Sequence, residues 1–477
     1  MGCPSRGAPF MPGWIIFSDA MTPIVELNAF AYAYPARDAF VLHGIDLTVA
    51  AGECHCITGP TGSGKSTLLQ AIQGLLPAGK SRGRIRVCGN GSRGPSGLVL
   101  QEPDMQILTK NIGQEVAFGL ENLCIPAEQM TPLVRRGLEA TGLDKALGFE
   151  TRKLSMGQKY RLLLASLLVM KPKLLMLDEP SGQLDGAGLE KLENVLSRLK
   201  ETGMAILISE HRPEALAGVI DKYWLFDPNA GLQAGTTPAG YNTSPIKAPP
   251  AGRVFDKKAR VSGSPVISAE AVSIGFDDVV LWSDATFRIY PGEIISIYGE
   301  NGSGKTSLLR CLMGMVEIGH GLVHVFGKKP APRKLRGKIG CLFQNPSKQL
   351  FENTVFDEVA FQVKRICPDN IEQAVNQALN LCGISDLSGA SPHKLSYGQK
   401  HLVALASVIG AAPELLLLDD PFSGLDQSTK GKLTRLFHRL SREKGTTIVL
   451  TTHHMEADMI ADRRIVINNR RITEEAA

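Results

Sequence analysis

Nowhere in the 477 residues does an uninterrupted apolar run reach the roughly 18 to 20 positions that a membrane-spanning helix needs. The longest candidate, Leu402 to Leu418, is broken by Pro413 and Glu414, so the chain is not expected to cross a bilayer as a helix. Net charge is scarce as well. Fifty-two basic against 47 acidic residues leave a formal +5, which gives no strong pull toward nucleic acid or anionic lipid. The nine cysteines show no paired, zinc-like spacing, and Cys54-x-Cys56 lies in an apolar run where buried, reduced thiols are expected, pointing to a reducing cytoplasm. The apolar patch Trp14 to Phe17 falls short of the roughly 7 to 15 residues of a secretory segment. Residues 1–21 are therefore read as an unstructured extension outside the patterned sequence, with the true start at either Met1 or Met21. What remains, 43% apolar and 21% charged residues, is the balance of a globular protein long enough for two large domains.

The chain resembles itself. Ile24–Tyr34 aligns with Val266–Phe276 at an offset of 242, both alternating as strands do. Lys65 matches Lys305 at 240, Gln101 matches Gln344 at 243, Ser155 matches Ser396 and Asp178 matches Asp419 at 241, and His211 matches His453 at 242. Small loop differences account for the drift. The reading is a first domain over 22–233, a Gly/Pro/Ser-rich linker over 234–264 and a second domain over 265–474. In each copy short β-rich runs such as Ala205–Ile208 and Thr447–Leu450 alternate with helical stretches, which predicts an α/β fold with a largely parallel sheet covered by helices.

Gly59, Pro60, Thr61, Gly62, Ser63, Gly64, Lys65 and Ser66 fit the phosphate-binding loop G-x-x-x-x-G-K-[S/T], with Thr67 next in the helix. Gly299, Glu300, Asn301, Gly302, Ser303, Gly304, Lys305 and Thr306 fit it again, followed by Ser307. Glycines let backbone N–H groups turn toward phosphate oxygens, the helix N-terminus adds a favourable dipole, and lysine brings a charge to the β/γ oxygens. Ser66 and Thr306 are placed to ligate Mg²⁺. Downstream, the runs Leu174–Leu177 and Leu415–Leu418 end in the carboxylate pairs Asp178-Glu179 and Asp419-Asp420. Behind a phosphate loop such pairs read as an Mg²⁺-holding aspartate followed by a residue that polarises the attacking water.

Leu154-Ser-Met-Gly-Gln158 and Leu395-Ser-Tyr-Gly-Gln399 resemble the Leu-Ser-Gly-Gly-Gln signature of ABC ATPases, each 23 residues before its aspartate (178 − 155 and 419 − 396). The resemblance implies two P-loop nucleotide-binding domains in tandem, each with a mixed or parallel sheet core and a helical subdomain. It also implies ATP as substrate and a head-to-tail pairing of domains. Each nucleotide is then held between one domain's phosphate loop and the other's signature, here Ser155, Gly157 and Gln158 or Ser396, Gly398 and Gln399. It further implies that Gln101 and Gln344 reach Mg²⁺ and the attacking water, that Ser66, Asp178, Thr306 and Asp419 complete the metal sites, and that His211 and His453 contact the γ-phosphate. Glu179 and Asp420 would polarise the water, Tyr34 and Phe276 would stack on adenine, and Ser181–Asp185 and Ser423–Asp426 would form the D-loops.

The copies are unequal. Asp420 stands where the first copy has Glu179, withdrawing the carboxylate by about 1.5 Å, so the site built on the first phosphate loop is expected to hydrolyse faster. Gln101-Glu-Pro-Asp-Met-Gln106 and Gln344-Asn-Pro-Ser-Lys-Gln349-Leu-Phe351 look like the Gln-Asn-Pro-Asp-x-Gln-Leu-Phe pattern of energy-coupling factor importers, from which Glu102 and Ser347 depart. That likeness implies vitamin or transition-metal uptake and a peripheral place on the cytoplasmic face of the membrane. The partners it implies are a transmembrane coupling protein and a small substrate-capturing membrane protein, with no nucleic acid. Two other readings are a tandem sugar or nucleoside importer ATPase and a soluble ABC protein acting on ribosomes or DNA. The first commonly carries extra residues near the signature glutamine that Gln399-Lys400 does not show. The second usually carries a charged helical linker or zinc cysteines, neither of which is seen here.

Overall fold

The computed structural model describes residues 23–35, 39–60, 62–87, 96–184, 186–211, 213–227, 231–235, 263–276, 279–300, 302–366, 368–423, 425–452, 460–468 and 470–476. It divides into two compact units, Met1–Asn242 and Thr243–Ala477.

The first unit opens with β1 (Pro23–Ala33), β2 (Leu42–Ala50) and β3 (Cys54–Thr58), followed by β4 (Lys80–Val87), β5 (Ser96–Val99) and β6 (Leu174–Asp178). It closes with β7 (Ala205–Ser209), β8 (Lys222–Asp227) and β9 (Gly231–Gly235). Two sheets result: an antiparallel one in the order β2-β1-β4, and a six-stranded one in the order β5-β6-β7-β3-β8-β9, parallel except for the β9 edge. The unbroken apolar run of β6 is what a strand covered on both faces requires. Leu174 and Met176 join the core that reaches the antiparallel sheet, while Leu175 and Leu177 join the core on the opposite face. Between β5 and β6 the helices Ile112–Asn122, Ala127–Ala140 and Met156–Leu168 pack around Val116, Leu120, Leu138 and Leu162, forming a helical subdomain with a core of its own.

The second unit repeats this plan with β10 (Ile267–Phe276), β11 (Val279–Ile289), β12 (Ile294–Gly299), β13 (His320–Val325), β14 (Ile339–Leu342) and β15 (Leu415–Asp419). Then follow β16 (Thr447–Thr452), β17 (Arg463–Asn468) and β18 (Arg471–Ala476). Its sheets run β11-β10-β13 and β14-β15-β16-β12-β17-β18. Leu416 and Leu418 of β15 face one core, Leu415 and Leu417 the other.

This strand order positions the site. β3 carries the phosphate loop at its C-terminal end and lies beside β7, which lies beside β6, so the ends of three strands far apart in sequence open onto one sheet edge. Among the described residues no helix is long and apolar enough to cross a membrane.

Candidate nucleotide site

In each unit the helix after the phosphate loop starts at the loop lysine, as Lys65–Gln73 and Lys305–Leu312. Gly64 and Gly304 cap these helices with φ of 111° and 97°, a left-handed conformation that a side chain resists. A Cβ at Gly59 would lie 2.6 Å from the Phe226 carbonyl oxygen, and one at Gly304 would lie 2.9 Å from Nε1 of Trp282. Lys65 Nζ donates to the carbonyls of Gly59 (2.9 Å) and Pro60 (3.0 Å), and Lys305 Nζ to those of Gly299 (2.6 Å) and Glu300 (2.8 Å). The hydroxyls of Ser63 and Ser303 are buried without a hydrogen-bond partner among the described residues. Buried donors left in this state are suited to an anion, and phosphate fits them.

Behind the loop lies a buried carboxylate. Ser209 Oγ and Ser66 both donate to Asp178. In the second unit Thr451 Oγ1 donates to Asp419 Oδ1 and Thr306 Oγ1 to Asp419 Oδ2, each at 2.7 Å. Burial pushes Asp178 up to about 6; the neighbouring Glu179 adds to this, while the two hydroxyls and Lys65 oppose it. Burial raises Asp419 as well. A carboxylate beside a phosphate-loop hydroxyl is the oxygen donor set that Mg²⁺ prefers.

Glu179 follows with φ 50° and ψ 53°, and Asp420 has φ 51°. Gln101 Nε2 donates to Glu179 Oε2 at 2.6 Å, and His211 Nε2 lies 2.8 Å from Glu179 Oε1. Gln101, Glu179 and His211 thus meet at one carboxylate, although 78 and 32 residues separate them. Tyr34 OH lies 3.1 Å from Thr67 Oγ1, placing the aromatic against the phosphate-loop helix. Thr61, Asn301 and His453 lie outside the described residues, as do Asp185 and the side chain of Phe276.

The signatures form the first turns of the helices Met156–Leu168 and Tyr397–Ile409. Ser155 and Gln158, like Ser396 and Gln399, make a reciprocal capping box. Gly157 follows Met156 in that first turn, where a Cβ would meet Leu184 at 3.2 Å, and Gly398 is buried. Signature helix and glutamine loop are tied differently in each copy. Tyr397 OH donates to the Gln344 carbonyl at 3.1 Å, tying signature helix to glutamine loop. In the first copy that tie is an ion pair, Lys159 Nζ to Asp104 Oδ1 at 2.6 Å.

Near the site, the roles of Gln106 and Gln349 and the presence of Glu115, Glu358 and Glu210 escaped the sequence reading. Gln106 accepts from Leu100 N (2.7 Å) and donates to Leu98 O (2.8 Å), while Gln349 does the same with Phe343 N (2.7 Å) and Cys341 O (2.9 Å). The second glutamine of the loop pattern is thus a pin for the loop itself. Glu115 and Glu358 are buried carboxylates that each accept two backbone N–H groups of the same loop. Recurrence at one offset was the available signal: 349 − 106 and 358 − 115 both equal 243, the spacing of Gln101 and Gln344. Glu210, pushed up to about 7 by burial against hydrogen bonds from Ser181 that favour its charged form, has no counterpart carboxylate in the second copy, where Thr452 stands. The D-loop matching also shifts. With Asp178 and Asp419 both ending strands, Ser181 corresponds to Phe422 and Gly182 to Ser423.

A phosphate loop feeding a helix, with a buried aspartate and a second carboxylate beyond it on a parallel sheet, is the architecture of a P-loop nucleotide hydrolase, here present twice. The sequence profile described as ABC transporter matches residues 42–182 and 282–423. A putative ABC transporter ATP-binding protein of Methanosarcina mazei is 32% identical over 511 residues, covering 94% of this chain and 87% of that one. One of Streptomyces avermitilis is 33% identical over 520 residues, covering 93% and 92%. The chain belongs to the ABC transporter ATP-binding family and is an ATPase. Among solved structures, an archaeal ribosome recycling factor bound to a ribosomal stalk protein aligns over 92% of this chain and 87% of its own, with a TM-score of 0.61 and 20% identity, a likeness of fold. cbiO1 from Clostridium perfringens, part of the ABC transporter complex cbiONQ, aligns over 45% of this chain and 89% of its own, at 29% identity and a TM-score of 0.42.

Replacing Gln349 by Leu strands the Phe343 N–H and the Cys341 carbonyl at a cost of about 0.5–1.5 kcal/mol for each half-buried hydrogen bond lost. The urea midpoint of unfolding is expected to fall, and amide exchange at Phe343 to accelerate. A second expectation concerns pH. His401 is fully buried behind Asp420, and burial lowers its pKa to about 4, with Asp420 and the Pro421 carbonyl opposing. The unfolded chain then binds a proton at His401 that the native one refuses, so native stability contributed here is complete above pH 6.5 and is lost as pH falls toward 4. His401→Tyr, which installs the residue the first copy carries as Tyr160, should flatten the fall in melting temperature between pH 7 and 5. An unchanged slope would refute this.

Proposed function

We propose that the chain is the ATP-binding and hydrolysing subunit of a membrane importer of the energy-coupling factor type, taking up a vitamin or transition-metal ion. On this reading it sits peripherally on the cytoplasmic face of the membrane and works with a transmembrane coupling protein and a small substrate-capturing membrane protein. The observation that carries the reading is the apolar surface beside each glutamine loop. Met105 and Leu108 are 70% and 69% exposed, with Phe118 also exposed on the next helix. Phe351 is 55% exposed and stacks edge-on at 4.6 Å against Phe361. Large apolar side chains gathered at the same place in both copies favour a protein partner there. The loop sequences Gln101–Gln106 and Gln344–Phe351 resemble the importer pattern, and the curated relatives are named as transporter ATP-binding proteins.

One ATP is taken to bind at each phosphate loop. Lys65 and the backbone N–H groups of 62–67 hold the phosphates at the first site, with Tyr34 at the base. Lys305 and the N–H groups of 299–307 do so at the second, with Phe276. Ser66, Gln101 and Asp178, or Thr306, Gln344 and Asp419, would hold Mg²⁺, which supplies positive charge to the phosphate oxygens when bound. Glu179 orients a water through a carboxylate oxygen, and His211 and Gln101 hold that carboxylate in place. The water oxygen bonds to the γ-phosphorus while the bond to the β–γ bridging oxygen breaks, giving ADP and phosphate. At the second site Asp420 orients the water, and His453, like His211 at the first, is assigned to contact the γ-phosphate. At φ, 50° at Glu179 and 51° at Asp420, the two backbones are alike, so this torsion does not make up for the shorter side chain.

Glu179→Gln should therefore lower turnover more than Asp420→Asn, by on the order of tenfold or more; equal losses would refute the asymmetry. Lys65→Ala combined with Lys305→Ala should abolish hydrolysis. Affinity purification from membranes is expected to recover two small membrane proteins in stoichiometric amount. Recovery of ribosomes or of nucleic acid in a salt-sensitive complex would instead support the soluble alternative.

A further inference from the structure

We propose that Glu210 is a positioning residue of the first site, holding Glu179 by clamping the turn that follows it. Glu210 comes directly after β7 and is 1% exposed. Its Oε1 accepts from Ser181 N and its Oε2 from Ser181 Oγ, both at 2.7 Å, and its own N–H donates to the Ile57 carbonyl at 2.9 Å. Both oxygens of one buried carboxylate are thus spent on a single residue two places beyond Glu179. A two-point grip fixes orientation as well as distance.

The grip closes a ring. From Glu179 the chain passes through Pro180 to Ser181, crosses the paired hydrogen bonds to Glu210, continues to His211, and returns by the 2.8 Å contact of His211 Nε2 with Glu179 Oε1. Glu179 needs such support because its left-handed φ of 50° is unfavourable for a residue with a side chain, and such conformations persist where neighbours over-determine them. A buried carboxylate is itself costly unless fully hydrogen-bonded.

The second copy holds the same turn by other means. Phe422 stands at the position of Ser181 (422 − 241) and Thr452 at that of Glu210 (452 − 242). Phe422 is 4% exposed and packs edge-on, at 5.8 Å, against Phe437, whose position is Leu196 in the first copy. Serine with glutamate has become phenylalanine with threonine: both members of the pair differ together, as a functional pair would.

The inference rests on the reading of Glu179 as the water-orienting group, and the experiment separates the two. In the full chain, Glu210→Thr installs the residue the second copy accommodates there. Glu210→Gln keeps both bonds, its carbonyl accepting from Ser181 N and its amide donating to Ser181 Oγ. Glu210→Thr should lower kcat for ATP about tenfold or more, toward the level of Glu179→Gln, with KM within about twofold, while Glu210→Gln stays within about threefold of wild type. Amide exchange at Ser181 should accelerate in Glu210→Thr and remain slow in Glu210→Gln. Full turnover in Glu179→Gln would sink the reading of Glu179 and leave the clamp to be judged by the exchange rates. Unaltered Ser181 exchange in Glu210→Thr would overturn the clamp. So would wild-type kcat in that variant beside an inactive Glu179→Gln, or a Glu210→Gln as impaired as Glu210→Thr.

Discussion

A carboxylate at the end of a strand buried on both faces has lost its water, and the molecule is organised around making that tolerable. Asp178 and Asp419 each rest on two hydroxyls, one from the neighbouring strand and one from the phosphate-loop helix. The neighbouring strand's hydroxyl requires β6 beside β7 and β15 beside β16 in a fixed register, with Asp178 opposite Ser209 and Asp419 opposite Thr451. The helix hydroxyl requires the loop that precedes it to turn sharply at glycine. Sheet order, loop conformation and acidic cluster are therefore one arrangement, since displacing any of them leaves a buried charge without partners.

Around this shared centre the two copies reach similar mechanical ends by different chemistry. An ion pair links signature helix to glutamine loop in one, and a tyrosine hydroxyl in the other. A carboxylate grips the turn after Glu179, while an aromatic pair packs the turn after Asp420. Ionic strength and acidity bear on charged links more than on apolar ones, so the halves of this chain need not respond alike to one change of solution.

How much could be read beforehand depended on how far apart the partners lie in sequence. The phosphate loops are runs of adjacent residues, and the strands ending at Asp178 and Asp419 announce themselves by unbroken apolar runs, so both were legible. Gln101, Glu179 and His211 could be named from family likeness, but their meeting at one carboxylate follows from strand order, which periodicity does not encode. The antiparallel sheets built on β1 and β10 were read as strands and not as separate sheets, because alternation tells which face is buried and says nothing about the neighbour. Glu210 was invisible for the same reason. Glutamate before a histidine is unremarked until the fold brings Ser181 to it.

The capping box at the head of each signature helix has a bearing on how these sequences can drift. Serine and glutamine satisfy one another within a single helical turn, so the shape of that turn owes nothing to the residue lying between serine and glycine. That place is left at liberty, and the two copies have filled it with methionine and tyrosine, the latter recruited to brace a loop fifty-three residues upstream.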